Sequence, residues 1–237
     1  MKIEILFPEL CTLYGDAGNI LYIKSSLKDA EITETHYQDK PLFAKERVDM
    51  IYIGSMSENN QLFAIKYLMP YKERLRELIE DGVVFLATGN AMELFGEYIA
   101  DDENKWEALG LFPFYSKRKT HYFRHNSHYL GCFNDIEVVG YKSQFSFCYG
   151  DFKDSFMKVL GGCGNTPDDT AEGIHYKNFF ATYVIGPLLP FNPYLAKHIF
   201  SLAGFEGEVA FEKEAIEAYE CRLRHLKQED VNFFPPH

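Results

Sequence analysis

Thr88-Gly89-Asn90 is the stretch of this chain whose setting best suits covalent chemistry. Residues 83–87 before it form an apolar run with two β-branched members, the mark of a strand buried on both faces of a parallel sheet. Residues 91–95 after it have helix-forming composition. A strand, a tight turn and a helix in that order aim one residue, and the amides of the helix start, at whatever lies above the sheet. In many α/β enzymes that residue is a nucleophile. Here the candidates are a threonine and a glycine, so the shape announces a chemistry that the residue types do not supply.

Other residues invite chemical readings. A Thr88 hydroxyl would need a base to activate it, and turn hydrogen bonds are the expected work of Thr88 and Asn90. Cys163 sits in the Gly-rich loop of residues 161–173 and is a candidate displaced nucleophile, although an ordinary loop thiol is expected there, and likewise for Cys11. Asp16 and Asn19 are expected to brace a turn and a helix start. His121, His125 and His128, with Cys132 beyond, raise a zinc site. On a strand, however, His121 and His125 share one face while His128 takes the other, so packing or surface histidines are expected and no metal. Glu93 could line a pocket, but a helical surface glutamate is the expectation. Gly15-Asp16-Ala17-Gly18 lacks the spacing of a nucleotide-binding fingerprint, and no cofactor is expected.

The elements that must position these residues follow from periodicity. Residues 2–7 alternate as a first strand, residues 20–27 have helical spacing, residues 31–36 alternate again, and residues 50–53 form a very apolar third strand ending in Gly54-Ser55-Met56-Ser57. An amphipathic helix is expected over residues 60–80 with a kink at Pro70. This alternation predicts a parallel, doubly wound α/β sheet, whose ligands gather beyond the carboxyl ends of the strands. Residues 54–57 and 88–90 both lie at such ends and are expected to face one pocket. Further on, residues 130–141 read as one or two strands, residues 144–149 and 179–184 as others, and residues 194–202 and 212–228 as helices. With no repeat and no convincing linker, one domain over residues 1–237 is expected.

Composition narrows the function classes. A formal net charge of −11 argues against general nucleic-acid binding, and the one basic cluster, Lys117-Arg118-Lys119, reads as a solvated loop. Five cysteines without C-x-x-C spacing fit reduced thiols better than a zinc ribbon or a disulfide framework. No apolar run approaches membrane-spanning length, so a cytoplasmic protein with no membrane partner is expected.

Two longer motifs carry a resemblance. Leu13-Tyr14-Gly15-Asp16-Ala17-Gly18-Asn19-Ile20 resembles the N-terminal signature of class I glutamine amidotransferases of the cobyric-acid-synthase type, and the branch it most resembles is the amidotransferase subunit of lipid II isoglutaminyl synthase. Residues 172–178 and 182–193 are similar to the C-terminal block of the same family. The resemblance implies a flavodoxin-like class I amidotransferase fold, with a central, mostly parallel sheet flanked by helices. It also implies a mechanism: a cysteine on the strand–helix turn attacks the side-chain amide of glutamine, a histidine relays protons, backbone amides hold the oxyanion, and ammonia passes to an ATP-dependent, Mur-ligase-like partner.

Laid on that pattern, Gly89 falls at the cysteine and Ile185 at the histidine. The family's Gly-Gly-Gly turn becomes Gly54-Ser55-Met56, and its Phe-Glu-Asn-His motif is approximated only by Tyr141-Lys142-Ser143-Gln144. The resulting expectation is an amidotransferase-like protein without catalytic residues. Gly89, Ile185, Thr88, Asn90, Gly54 and Ser55 would outline an inherited pocket, and the chain would serve as a binding subunit of a Mur-ligase-like or other ATP-dependent ligase. Two alternatives stand beside it: an active amidotransferase with a relocated nucleophile, at Thr88 or Cys163, and a small-ligand-binding module using the pocket.

Overall fold

The computed structural model describes residues 1–119, 124–152 and 154–234. Its first half follows the predicted alternation: β1 (Lys2–Leu6), α1 (Asp16–Ser26), β2 (Glu31–Thr35), β3 (Met50–Ile53), α2 (Glu58–Leu68), α3 (Lys72–Glu80) and β4 (Val84–Thr88). The expected long helix is indeed two, separated by a 3-10 turn over Met69–Tyr71 at Pro70, whose ring cannot continue an α-helical ladder. After β4 the helix expected over residues 91–95 is instead a 3-10 helix, Gly89–Phe95. Its last carbonyls are captured from the side. Leu109 N–H donates to Leu94 O, and the amides of Leu111 and Phe112 donate to Phe95 O, so no further helical turn can take them.

The second half is richer in strands than its periodicity suggests: β5 (Tyr98–Ala100), β6 (Lys105–Glu107), β7 (Phe114–Arg118), β8 (His125–Phe133), β9 (Ile136–Gln144), β10 (Ser146–Gly150), β11 (Met157–Gly161), β12 (Ala171–Glu172), β13 (Ile174–Tyr176) and β14 (Phe179–Thr182). Three helices follow, α4 (Leu188–Phe191), α5 (Pro193–Leu202) and α6 (Glu212–Leu226). The stretch read as one or two strands is the hairpin β8–β9, paired from His125↔Gln144 to Phe133↔Ile136.

The central sheet runs β13-β14-β4-β3-β1-β2. All of its pairs are parallel except β13 with β14 at the edge. The portion β2-β1-β3-β4-β14 has the flavodoxin-like order. Two four-stranded sheets, β10-β7-β5-β6 and β12-β11-β8-β9, complete the structure. Both faces of the central sheet are covered, which is why its strands read as uninterrupted apolar runs. Phe85 and Ala87 of β4 join Ile51, Phe179 and the apolar sides of α2 and α3, whereas Val84 and Leu86 join Ile3, Tyr52, Phe180 and helices α1 and α5. Packed on both sides, the sheet holds its carboxyl-end loops at fixed positions, and the site is built from them. Among the described residues no helix is long and apolar enough to cross a membrane.

Candidate functional site

At the carboxyl end of β4 the backbone turns through Gly89 with φ of 60°, a left-handed conformation that side-chain-bearing residues rarely adopt. A Cβ built on Gly89 would lie 2.5 Å from Ser55 Cβ and 3.4 Å from Ile185 Cγ2. The two departures from the family pattern are therefore coupled in space. Where a nucleophile's side chain would begin, Ser55 already stands, and an isoleucine with no proton to move faces the same point. Ser55 is held there firmly: its N–H and its hydroxyl both donate to Asp16 Oδ2, and the hydroxyl also reaches Leu13 O at 3.0 Å.

The sequence motifs at residues 13–20 and 182–193 meet around this turn. Asn19 Oδ1 accepts from Leu189 N–H at 2.8 Å, while its amide nitrogen donates to Asp16 Oδ1 at 2.8 Å and to Tyr52 Oη at 3.1 Å. A Cβ on Gly18 would come within 2.9 Å of the Pro187 ring, so the glycine permits the helix to touch the C-terminal block. Asp16 caps no helix-start amide; it joins Asn19 across the first turn of α1 and ties α1 to the loop after β3. Its carboxyl is pushed above the ordinary range by burial, against the opposing hydrogen bonds from Ser55.

Three of the six residues expected at the pocket line it: Gly89, Asn90 and Ile185. Asn90 braces across the pocket floor rather than within its own turn, accepting from Met56 N–H at 3.0 Å and donating to Met56 O at 2.8 Å. Gly54, Ser55 and Thr88 lie behind the wall. The buried Thr88 hydroxyl pairs with Tyr52 Oη at 3.1 Å and does not reach the pocket lining, which removes the geometric basis for a Thr88 nucleophile. The pocket core is small, about 30 Å³, room for about two waters.

The rest of the lining corrects two expectations. Glu93 is no surface glutamate: it is 1% exposed and part of the pocket wall. The 3-10 helix turns it inward, where Tyr183 Oη donates to its Oε1 at 2.8 Å and Oε2 has no hydrogen-bond partner. Burial raises its pKa, opposed first by the charge of Arg118 and then by Tyr183. Arg118, in turn, belongs to no solvated loop. It ends β7, where strand alternation buries Phe114, Ser116 and Arg118 together, and its Nη2 donates to Gln61 Oε1 at 2.5 Å while its guanidinium lies 5.6 Å from the Trp106 ring centroid. Only its place in β7 reveals this, since residues 114–118 show no alternation of apolar and polar side chains in the sequence.

Arg124, Gln144, Ser146 and Tyr183 are further lining residues that sequence reasoning did not place in the site. Arg124 stacks between Phe145 and Tyr14, at 4.3 and 5.2 Å from their ring centroids, and desolvation lowers its pKa. Gln144 donates from Nε2 to Ser146 O at 2.7 Å, which fixes the amide orientation and leaves Oε1 buried without a partner.

Behind the pocket, Lys142 and Glu172 form an ion pair at 3.4 Å with both side chains fully buried. Lys142 also donates to Cys163 O and Gly164 O at 3.2 and 2.7 Å. Cys163 is a loop thiol as expected, fully buried, and its Sγ lies 3.0 Å from His125 Nε2. Burial raises the thiol pKa, with Lys142 opposing. Cys11 is buried beneath β1, its thiol near Leu6 O and its pKa likewise raised by burial. Of the histidines considered for zinc, His121 lies outside the described residues. His125 faces Cys163 and His128 faces the Tyr141 ring, and Cys132 Sγ pairs with Asn134 O at 2.9 Å. No group of three potential metal ligands occurs among the described residues.

Comparison with known proteins decides the family. The CobB/CobQ-like glutamine amidotransferase domain matches residues 2–193. The chain belongs to this family. Subunit GatD of lipid II isoglutaminyl synthase (glutamine-hydrolyzing) from Staphylococcus aureus N315 is 30% identical over 212 residues, spanning 86% of this chain and 85% of that protein. The corresponding subunit from Streptococcus pneumoniae R6 is 28% identical over 218 residues, spanning 86% and 80%. Among solved structures, PurLQS from Thermotoga maritima superposes with a TM-score of 0.56 at 11% identity, covering 95% of this chain and 99% of that one. A glutamine amidotransferase superposes with the same TM-score at 14% identity, covering 86% and 99%. These structural likenesses show the α/β amidotransferase fold.

Proposed function

We propose that this chain is an amidotransferase-like subunit that does not hydrolyse glutamine and serves as the binding partner of an ATP-dependent, Mur-ligase-like amide-forming enzyme. The observation that carries the reading is Gly89 itself, at the tip of a preserved elbow with the space for a side chain taken by Ser55. Glycine offers no nucleophile, and Ile185 offers no general base. The scaffold motifs that join α1 to the C-terminal block persist around it, and the two relatives are subunits of a larger synthase. Amide formation in such a complex would draw on free ammonium. Purified chain incubated with glutamine, alone and with its candidate ligase, should release no glutamate above the ligase-only background, while copurifying with the ligase. Stoichiometric turnover of glutamine dependent on this chain would refute the loss of chemistry.

One observation favours a second reading, an active enzyme with a relocated nucleophile. Cys163 and His125 are 3.0 Å apart, within the reach of a thiol–imidazole pair, and His125 is cross-strand from the pocket residue Gln144. Against it, the thiol is fully buried and its pKa is raised. A glutamine-mimicking chloroketone separates the two. Labelling confined to Cys163 and lost in His125→Ala would establish the pair as reactive, whereas a folded, unlabelled protein disposes of it.

A further inference from the structure

The pocket beside Gly89 contains two acceptors that the protein itself leaves unsatisfied. Glu93 Oε2 and Gln144 Oε1 are both buried, neither has a hydrogen-bond partner among the described residues, and both residues line the same recess. Buried acceptors of this kind are rare in native interiors because each forfeits its hydration. Neither can be rescued by a small rotation. Gln144 is anchored through Nε2 on Ser146 O, and Glu93 through Oε1 on Tyr183 Oη.

Of the neighbouring donors, Ser146 and Gln61 help to lower the Glu93 pKa through side-chain hydrogen bonding, yet no donor among the described residues closes a hydrogen bond on Oε2. Arg118 spends Nη2 on Gln61 Oε1, and the other end of Gln61 donates to Asn90 O at 2.7 Å. Arg118 therefore gives Glu93 a compensating charge and leaves Oε2 without a hydrogen. Arg124 is stacked between Tyr14 and Phe145 in the wall. The charged lining balances, with Glu58 and Glu93 against Arg118 and Arg124. The recess thus needs a compact occupant with at least two N–H or O–H donors, and its core of about 30 Å³ admits one or two heavy atoms. A positive charge on that occupant would meet the buried Glu93 carboxylate directly, where desolvation strengthens the attraction.

We propose that this pocket is a binding site for an ammonium-type cation, free ammonium or the primary ammonium of a one-carbon amine, with N–H groups donated to Glu93 Oε2 and Gln144 Oε1. The inference rests on the reading of the elbow as one without a nucleophile, because Gly89 puts no side chain of its own beside these acceptors. It extends that reading: the subunit would gather from solution the nitrogen that its relatives' fold is built to release from glutamine.

The full chain is titrated at pH 7 with ammonium chloride, methylammonium chloride, potassium chloride and tetramethylammonium chloride at constant ionic strength, read by thermal unfolding and calorimetry. The expected result is a saturable rise in Tm with ammonium, a response to methylammonium that identifies whether the amine form is also accepted, and none with tetramethylammonium, which has the charge but no donor. Glu93→Gln and Gln144→Leu, with circular dichroism confirming the fold, should each weaken ammonium binding, Glu93→Gln by about tenfold or more since a charge-assisted hydrogen bond is lost. Absence of a saturable response, an equal response to potassium or tetramethylammonium, or unchanged affinity in both variants would overturn the site and leave ordered water as its occupant. Glutamate release is measured separately, so a failed titration leaves the partner-subunit reading standing, and a glutaminase-positive result removes that reading without altering the titration.

Discussion

Asp16 and Glu93 are two buried carboxylates on opposite sides of the same elbow, and they have been put to opposite uses. Asp16 is saturated: both its oxygens receive donors, from Asn19 and from Ser55. Glu93 is half used, with one oxygen on Tyr183 and the other facing the recess. Burial raises the pKa of both. The saturated cluster joins α1, the loop after β3 and the C-terminal block, so it is cement. The unsaturated one gains little for the fold and is the place where an outside group has something to satisfy. Burial alone does not distinguish a structural carboxylate from a recognising one; the count of unfilled hydrogen-bond positions does.

The comparison is broken most severely at Asp16. Replacing it by alanine strands the Ser55 amide in the interior and takes one of two partners from the Ser55 hydroxyl and from the Asn19 amide, and should lower unfolding stability by about 3 kcal/mol in urea titration. Glu93→Gln should cost far less, because glutamine keeps an acceptor for Tyr183 and loses only the attraction to Arg118. Equal losses at the two positions would show that Glu93 is cement as well.

A smaller effect is expected at the elbow. Gly89→Cys places a Cβ against Ser55 Cβ in a left-handed conformation and should cost about 1–3 kcal/mol. Adding Ser55→Gly should recover part of that loss by removing the obstructing atom, while the backbone strain remains. Full stability of the single variant would mean that Ser55 does not occupy the nucleophile's place.

The smallest effect is one of pH. With its folded pKa raised, Glu93 binds its proton more tightly in the native state, so its contribution to stability is complete below the unfolded pKa and is lost as pH rises through the folded one. Glutamine carries no such loss. The Tm difference, Glu93→Gln minus wild type, should therefore grow in the positive direction as pH rises from the acid range towards neutrality and level off above the folded pKa. A difference independent of pH would contradict burial as the dominant influence on Glu93.

Some of the site was legible without coordinates because the signals were local. The turn at Gly89 follows from an apolar run ending in Thr88-Gly89-Asn90, and the proposed loss of the dyad rests on two motifs laid on the family pattern. Other members were hidden. Glu93 sits in a segment too short to display helical periodicity, so nothing local says which way it turns. Arg118 lies in a basic triplet whose composition suggested solvent, while the alternation that buries it is visible only if residues 114–118 are taken as a strand. β5 and β6 are three residues each, below the length at which a pattern can be read.

What the amino-acid sequence determined by itself is the order of strands and helices across the first half and the family, and the residue types, Gly89 and Ile185, on which the proposed loss of chemistry rests. These depend on short-range patterns and on residue type alone. Only the tertiary structure decided that Ser55 fills the space above Gly89, that Cys163 meets His125, and that Glu93 and Gln144 keep unsatisfied oxygens in one recess. The reason is physical. Steric exclusion and hydrogen-bond satisfaction are properties of atoms brought together from positions tens of residues apart, and no one-dimensional pattern records which donors have already been used.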